Sequence, residues 1–490
     1  MAKPYESLMG AVARSVFYRP ERQRARELLS RDAKPQLLIN GQEFPLFDIS
    51  MNGLSFIADN GTAAWEVGDE VELSLVLHNE SIYRGPARIA RKETSPRGAH
   101  IGVGLTTGFL DLPEISRRDD EKRLERELRG GCKAVERLVP APYRDQMTKA
   151  AHFLSHYNRV LGRQEQRFRE DGRGEQAGRE LAERAYQALC DPWWEINVQA
   201  SRAAVECLGS REILVAAKEY TEALVTPLVM DSTIGFRAYT KPLGYAGDYH
   251  VMLSFYANEF EGKTALGKVI HKFYVDRHPM GRGVRTRKDL VVGLMKEEHE
   301  RFISTNPGEN TFRVVSLGCG PAREVSDFVA QNRTWDGVIA WTLIDQEEEA
   351  LSVAYRDSRR EIGRWGADAR LNLLNLSFVQ LLSEGVPLQE PGSQHLIFSA
   401  GLFDYLRENR AQILIRGLFD LLAPGGLLAI GNAVAPNELF WNMEFLVDWT
   451  LFYRNRQEML NLAGLLPAGA ESQVILEPSG GYYFLLVRKH

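Results

Sequence analysis

The sequence predicts a multidomain chain: a small antiparallel β-barrel, a central α-helical region, and an α/β domain whose parallel sheet ends in an antiparallel hairpin. Three observations predict it. Up to about Pro113, short apolar runs are broken by turn residues; from about Glu114, apolar residues recur at helical spacing among many charges; beyond about Asp231, strand-like and helix-like segments alternate. The expected division is 1–113, 114–230 and 231–490, and a length of 490 residues accommodates it at roughly 100–200 residues per domain.

In the first region the expected strands are Gln36–Asn40, Glu43–Ile49, Gly53–Ala58, Glu70–Leu77, Ser81–Lys92 and Ile101–Thr106. Asn40-Gly41 is a hairpin signal because both residues tolerate positive φ. The alternation Val71-Glu72-Leu73-Ser74-Leu75 suits a strand with one buried face. Strands at such regular spacing read as a barrel. In the second region Glu121–Leu138, Tyr143–Arg163, Arg179–Cys190 and Arg211–Val225 read as amphipathic helices, and the polar stretch Gly162–Glu180 as a flexible loop.

The third region offers strands at Arg313–Leu317, Gly337–Asp345, His395–Ala400 and Gly426–Asn432, with helical patterns between them. That order predicts a parallel sheet with crossover helices. The last two strands, Ser472–Pro478 and Tyr482–Lys489, are joined by Ser479-Gly480-Gly481, too short for a parallel crossover, so they form an antiparallel hairpin.

The chemistry centres on Val314–Glu324, an apolar strand, a glycine turn and a helix start. Gly318, Cys319, Gly320, Pro321 and Ala322 let the backbone approach a ligand closely, and the helix that follows offers free amide donors. The next strand ends at Asp345, followed by Gln346; an acid there accepts hydrogen bonds from a ribose diol, because parallel strands end on the same side of the sheet. Gly318 and Asp345 lie 27 residues apart, room for one helix and one strand. NAD competes as the ligand, but its fingerprint wants a third glycine where this chain has Arg323-Glu324.

These residues resemble the class I S-adenosylmethionine-dependent methyltransferases, a Rossmann-like family whose sheet ends with an antiparallel seventh strand. LGCGPARE (Leu317–Glu324) is similar to their first motif, LIDQ (Leu343–Gln346) to their acidic ribose motif, and LAPGGLLAIGN (Leu422–Asn432) to their fifth-strand region. KPLGYAGDY (Lys241–Tyr249), SAGLFDYL (Ser399–Leu406) and MEFLVDWTLFYR (Met443–Arg454) resemble a subfamily described as extracellular-factor 3-hydroxypalmitic acid methyl ester biosynthesis proteins. The resemblance implies S-adenosyl-L-methionine as cofactor and a small acidic or lipid-like acceptor, a hydroxy fatty acid turned into its methyl ester. Ser399 and Gly401 join the cofactor set, as do Arg285 and Arg287, whose charges suit carboxylates. Tyr245, Asp248, Asp404 and Tyr405 are the candidates for the acceptor site. A carboxylate acceptor is ionised at pH 7 and needs no general base, so no catalytic dyad is required; a phenol or amine would need one, such as His395 or Asp404.

Near the other end, Asp48-Ile49-Ser50-Met51-Asn52-Gly53 fits D-x-S-x-x-G between two strands, and Arg22-Gln23-Arg24-Ala25-Arg26 fits R-x-x-x-R within a basic arm. Guanidinium groups suit phosphate and guanine. Together the motifs resemble the PilZ domain, a small barrel that commonly binds cyclic di-GMP. The resemblance spans roughly Arg14 to Thr107 and implies Arg22, Arg26, Asp48, Ser50 and Gly53 as the nucleotide site.

Composition narrows the rest. Sixty Lys+Arg against 65 Asp+Glu leave a formal charge of −5, which excludes a wholly nucleic-acid-binding surface, so neither DNA nor RNA is an expected partner. A 44% hydrophobic share supports packed cores. The four cysteines form no ligand cluster, so no metal is expected. No apolar run spans a membrane and Met1–Gly10 has no signal-peptide character, so a cytoplasmic protein is expected. The amphipathic helices offer faces for a second copy or a protein partner. The sequence thus reads as a cyclic di-GMP-responsive methyltransferase, against the alternative of a non-catalytic effector that only binds.

Overall fold

The computed structural model describes residues 23–29, 33, 35–58, 65–78, 80–95, 98–130, 137–376, 380, 393–467 and 470–490. The chain forms two units, Met1–Ala134 and Val135–His490.

The first unit is an eight-stranded antiparallel sheet curled around one core. Its elements are β1 (Gln23–Arg24), α1 (Ala25–Leu28), β2 (Gln36–Ile39), β3 (Gln42–Phe44), β4 (Leu46–Ser50), β5 (Gly53–Ala58), β6 (Glu70–Leu77), β7 (Glu80–Ser95), β8 (Gly98–Leu105) and α2 (Leu112–Gly130). The strands lie in the order β1-β4-β5-β8-β7-β6-β2-β3. Asn40 and Gly41, at φ 51° and 83°, make the expected tight turn between β2 and β3. The strand expected over Glu43–Ile49 is interrupted at Pro45, which has no N–H to give a ladder. Alternation holds along β6, where Val71, Leu73, Leu75 and Leu77 are buried.

Helix α2 belongs to this unit rather than to a separate helical region. Leu112 and Ile115 join the barrel-side core, and the buried Asp119 carboxylate meets His78 Nε2 at 2.7 Å.

The second unit starts with helices α3 (Ala141–Glu170), α4 (Glu175–Val205), α5 (Arg211–Leu224), α6 (Thr233–Thr240), α7 (Tyr249–Ala257), α8 (Ala265–Lys272) and α9 (Pro279–Thr305). There follow β9 (Thr311–Leu317), α10 (Arg323–Asn332), β10 (Val338–Asp345), α11 (Glu348–Trp365), β11 (Ala369–Asn375), β12 (Gln394–Ser399), α12 (Glu408–Leu421), β13 (Leu422–Ala433), α13 (Arg456–Asn461), β14 (Glu471–Leu476) and β15 (Tyr482–Arg488). The sheet order is β11-β10-β9-β12-β13-β15-β14. The first five strands pair in parallel, while β15 runs antiparallel to both β13 and β14. In chain order this is 3-2-1-4-5-7-6, and the order reverses between β9 and β12. Ligands of open α/β sheets bind at that reversal, beyond the carboxyl ends of the strands.

Two expectations change here. The stretch Gly162–Glu180 is helical apart from a turn at 171–174, with Phe168 and Ala177 buried. Its polar residues sustain the helices by pairs four apart, Gln166 to Glu170 and Gln176 to Glu180. The helices from α3 onward also do not form the separate region that the division 114–230 expected. They share one core with a face of the sheet: Trp441 Nε1 donates to Tyr143 Oη at 2.9 Å, and Thr226 Oγ1 donates to the Leu446 carbonyl at 2.8 Å. The division therefore falls near residue 134, and helices α3–α5 sit with the α/β sheet.

Trp441 is fully buried at this junction. Replacing it with Ala empties a large volume and removes one of the two hydrogen bonds of the Tyr143 hydroxyl, and is expected to destabilise the second unit by about 3–5 kcal/mol. Chemical denaturation should show that loss in the unfolding of Val135–His490 alone; an equal shift in the first unit's transition would contradict the division.

Candidate functional site

The end of β9 turns back on its neighbour. Gly318 N and Cys319 N both donate to the Ile344 carbonyl, at 2.8 and 3.1 Å. Gly318, Gly320 and Ala322 hold φ at 63°, 51° and 45°, a region that costs a residue with a Cβ. A Cβ on Gly318 would lie 3.2 Å from Leu402 Cβ, so the loop after β12 rests on this turn. Pro321 and Ala322 are buried beneath it. Gly320 N donates to Asp345 Oδ2 at 2.7 Å, and Glu347 N to Asp345 Oδ1 at 2.9 Å. The Asn375 amide clamps the carbonyls of Asp345 and Gln346. Burial raises the Asp345 carboxyl above its ordinary range, opposed by the N–H groups of Glu347, Gly320 and Gln346. Three N–H groups take three of the carboxylate's roughly four lone-pair sites, so one remains to accept from a ligand hydroxyl. Cys319 is buried and its thiol is pushed well up by desolvation, so it packs rather than reacts.

Behind the turn lie two buried charges. Arg287 on α9 and Glu324 in the first turn of α10 are each 6% exposed. Glu324 accepts from Ser316 Oγ at 3.2 Å, and burial raises its carboxyl to about 7 although Arg287 pulls it down. Arg287 stacks on the Tyr482 ring at 4.3 Å, stands 3.9 Å from Asp404 and has a buried Nε with no hydrogen-bond partner among the described residues. A Cβ on Gly401 would come within 2.8 Å of Arg287 Nη2, so the glycine makes room for the guanidinium. Arg285 takes the other direction. It donates to the carbonyls of Phe255 and Val275 and faces Asp276 at 3.6 Å. Residues two apart on a helix point to different sides, and Arg285 is a structural staple rather than part of the cofactor set.

The three separated segments of the sequence reading converge beside this turn. Trp449 Nε1 donates to Tyr405 Oη at 3.0 Å, and a Cβ on Gly247 would lie 2.5 Å from that oxygen and 2.6 Å from Trp449 Cζ2. Tyr245 sits within electrostatic reach of Asp345, Glu347, Asp248 and Tyr405; burial and these carboxylates push its phenol far up. The loop carrying it is pinned twice: Asp248 caps α7 at Val251 N and takes both its oxygens to Arg237 Nε, and Tyr249 Oη donates to Glu349 at 2.7 Å. Asp248 thus holds the loop. Asp404 is turned inward: Oδ1 accepts from Ala433 N at 2.7 Å, and burial raises the carboxyl to about 6 against Arg287, that N–H and Arg454. Ser399 Oγ donates to the Leu317 carbonyl at 2.8 Å and ties β12 to β9.

In the first unit the D-x-S-x-x-G turn is built by its own residues. Ser50 Oγ donates to the Gly53 carbonyl at 2.9 Å, and a Cβ on Gly53 would strike the Val103 carbonyl at 2.2 Å. Arg22 lies outside the described residues, and of Arg26 the backbone alone, in α1, is described. That backbone matters: β1 pairs with β4 in the register Gln23↔Ile49 and Arg24↔Asp48, which brings the arginine segment alongside Asp48. The Arg91 guanidinium stands 3.8 Å from Asp48, a neighbour the sequence reading missed because β7 supplies it from 43 residues along the chain.

Strand order and glycine turn define the second unit as a doubly wound α/β domain with a crevice where the strand order reverses. Comparisons add a family to the first unit: residues 20–128 match the PilZ domain. No curated protein matches the chain in sequence. Among solved structures, a possible exported protein from Bordetella parapertussis is similar at 18% identity and TM-score 0.41, over 54% of this chain and 86% of that one. The N-methyltransferase NodS from Bradyrhizobium japonicum, in complex with S-adenosyl-L-homocysteine, is similar at 15% identity and TM-score 0.30, over 49% of this chain and 97% of its own. Magnesium protoporphyrin IX methyltransferase from Synechocystis, with bound SAM, is similar at 10% identity and TM-score 0.29, over 43% and 82%. Among the described residues no helix is long and apolar enough to cross a membrane.

The raised Glu324 carboxyl has a pH consequence. The folded state holds this proton more tightly than the unfolded chain, so the contribution is fully present below about pH 4.5 and is lost as pH rises through about 7. Glu324→Gln removes the ionisation and is expected to gain stability over the native chain as pH rises from 5 to 8, by up to about 3 kcal/mol. Melting of both proteins without ligand across that range checks it; a gap independent of pH would place the carboxylate in a solvated setting.

Proposed function

We propose that the second unit is an S-adenosylmethionine-dependent methyltransferase and the first its cyclic di-GMP sensor. The single observation that carries the enzymatic half is that two buried ionisable side chains, Glu324 and Arg287, stand by the glycine turn, with Arg287 Nε unpartnered among the described residues. A pyrophosphate seated at the start of α10 would meet the Glu324 carboxylate, which disfavours NAD. A methionine end carries an ammonium and a carboxylate, complementary to Glu324 and Arg287 in turn. Asp345 and the Gly320 N–H suit the ribose, and the unpartnered Arg287 Nε is an orphaned donor that a carboxylate would satisfy. Bound there, S-adenosylmethionine supplies an electrophilic methyl group. The chain's own work is to hold it, align an acceptor and exclude water. Loop 244–249 provides cover, and the residues after β12 provide the acceptor side. The finer reading, O-methylation of a hydroxy fatty acid or similar lipid-like acid, rests on the resemblance of the Lys241–Tyr249, Ser399–Leu406 and Met443–Arg454 segments.

Asp345→Ala is expected to weaken S-adenosylhomocysteine by roughly ten- to a hundredfold, the value of a charge-assisted contact of about 1.5–3 kcal/mol. Calorimetry on the folded variant checks it. Unchanged affinity would remove Asp345 from the site, and tight NAD binding would overturn the methyltransferase reading. Binding without consumption of labelled S-adenosylmethionine in a lipid extract would favour the non-catalytic effector.

For the sensor, cyclic di-GMP is expected to bind the segment Met1–Ala134. Asp48→Ala, Arg22→Ala and Arg26→Ala should each weaken it by about tenfold or more. If neither the segment nor the whole chain binds the nucleotide, the domain is structural only.

A further inference from the structure

Helix α3 carries one sign of charge along one face. Lys149, His152, His156, Arg159, Arg163 and Arg167 recur three or four residues apart and are all exposed. At 3.6 residues per turn they fall within an arc of about 80°, and at 1.5 Å per residue the row is about 27 Å long. From Gln146 to Gln164 the helix holds no acid. On α2, α4 and α10, surface arginines meet carboxylates three or four residues away: Arg117 with Glu114 and Glu121, Arg179 with Glu183, Arg323 with Asp327. Lys149, Arg159, Arg163 and Arg167 have no such carboxylate and no side-chain hydrogen bond among the described residues. Gly162 leaves a shallow notch between the three guanidinium groups, edged by Asn158 and Gln166. Like charges at this spacing oppose a helix, so an anion from outside turns the row from a strain into an attraction.

We propose that this face of α3 docks the protein onto an anionic lipid surface. The two are complementary in charge: phosphate-bearing headgroups offer a plane of negative charge, and a cluster of Lys and Arg side chains on one helix face is drawn to it. The opposite face of the helix decides the form of attachment. Tyr143, Met147, Ala150, Leu154 and Leu161 are buried in the second unit's core, so α3 has no apolar face left to insert. Binding is therefore peripheral, electrostatic and sensitive to salt. A protein partner fits less well. Specific protein interfaces are anchored by large apolar or aromatic side chains at their centre, and along α3 the exposed large apolar residue is Val160, at 45%. A lipid surface needs no such anchor.

The test mixes the full chain with vesicles of phosphatidylcholine, alone or with phosphatidylglycerol, at low and at high salt. Cosedimentation should require the anionic lipid and fade as salt rises. Arg159→Gln, Arg163→Gln and Arg167→Gln combined are expected to weaken binding by roughly a hundredfold, while circular dichroism and melting show the fold intact. A control takes the same charge from α11, where Arg356, Arg360 and Arg364 stand beside Asp357 and Glu361. With those three arginines replaced by Gln, the chain should bind like the native one. No preference for the anionic vesicles, native binding by the α3 variant, or an equal loss in the α11 variant would each overturn the proposal. Tighter binding of polyglutamate than of vesicles, or a dimer that the α3 variant dissolves, would assign the row to a protein partner and overturn it as well.

Discussion

The second unit depends on a backbone conformation that side chains resist. Gly318 and Gly320 at positive φ let the chain leave β9 and fold against the end of β10, where the Gly320 N–H finds Asp345. That one hydrogen bond couples two parallel strands at their carboxyl ends and fixes the acid beside the turn. It also leaves a flat surface on which Leu402 closes from the strand on the other side. Strand order supplies the crevice, and the glycines supply the reason the crevice has a floor.

The sequence displayed this arrangement where local chemistry and global fold agree. A glycine turn, a terminal acid and a hairpin too short to be parallel each have one physical meaning, and each stands where the sequence placed it. β11 escaped because it is a half-exposed edge strand, Ala-Arg-Leu-Asn-Leu-Leu-Asn, with asparagines and no β-branched residue to mark it. Glu324 was visible only as a departure from a fingerprint; its meaning came from Arg287, which lies on a different element. Arg285 shows the converse. A run of basic residues displays charge but not direction, and the helix sends neighbours of equal chemistry to unequal work. In the first unit, the arginines lie ahead of Gln36–Asn40, the first strand the sequence displays. The pairing of β1 with β4 escaped because two residues of ladder are too short to read as a strand.

Polar residues misled in the helical region because helix surfaces and loops share a composition. What distinguishes α3 and α4 is the company of their apolar residues: Tyr143, Leu154 and Trp193 are buried with Trp441 and Phe445 from beyond β13. The network there is polar at its centre, with Tyr143 bonded to both Thr221 and Trp441, and Asn197 bonded to Asn442. Such buried pairs are costly unless complete, so they fix one arrangement of the helices against the sheet.

The hairpin β14–β15 has a consequence for how the molecule is made. Tyr482 lies under the Arg287 guanidinium and against Gly283, and Gly481 fits close to the Pro279 carbonyl at the start of α9. Arg287 is synthesised nearly two hundred residues before the ring that seats it. On the ribosome, β9 to β13 emerge while the flank of β13 that β15 will cover is still bare. The glycine turn and its acid can form in that nascent chain, but the guanidinium has no platform. The order of translation therefore makes the seating of Arg287 the last part of this region to form, and a chain stalled before Tyr482 carries the glycine turn without the ring that the guanidinium lies over.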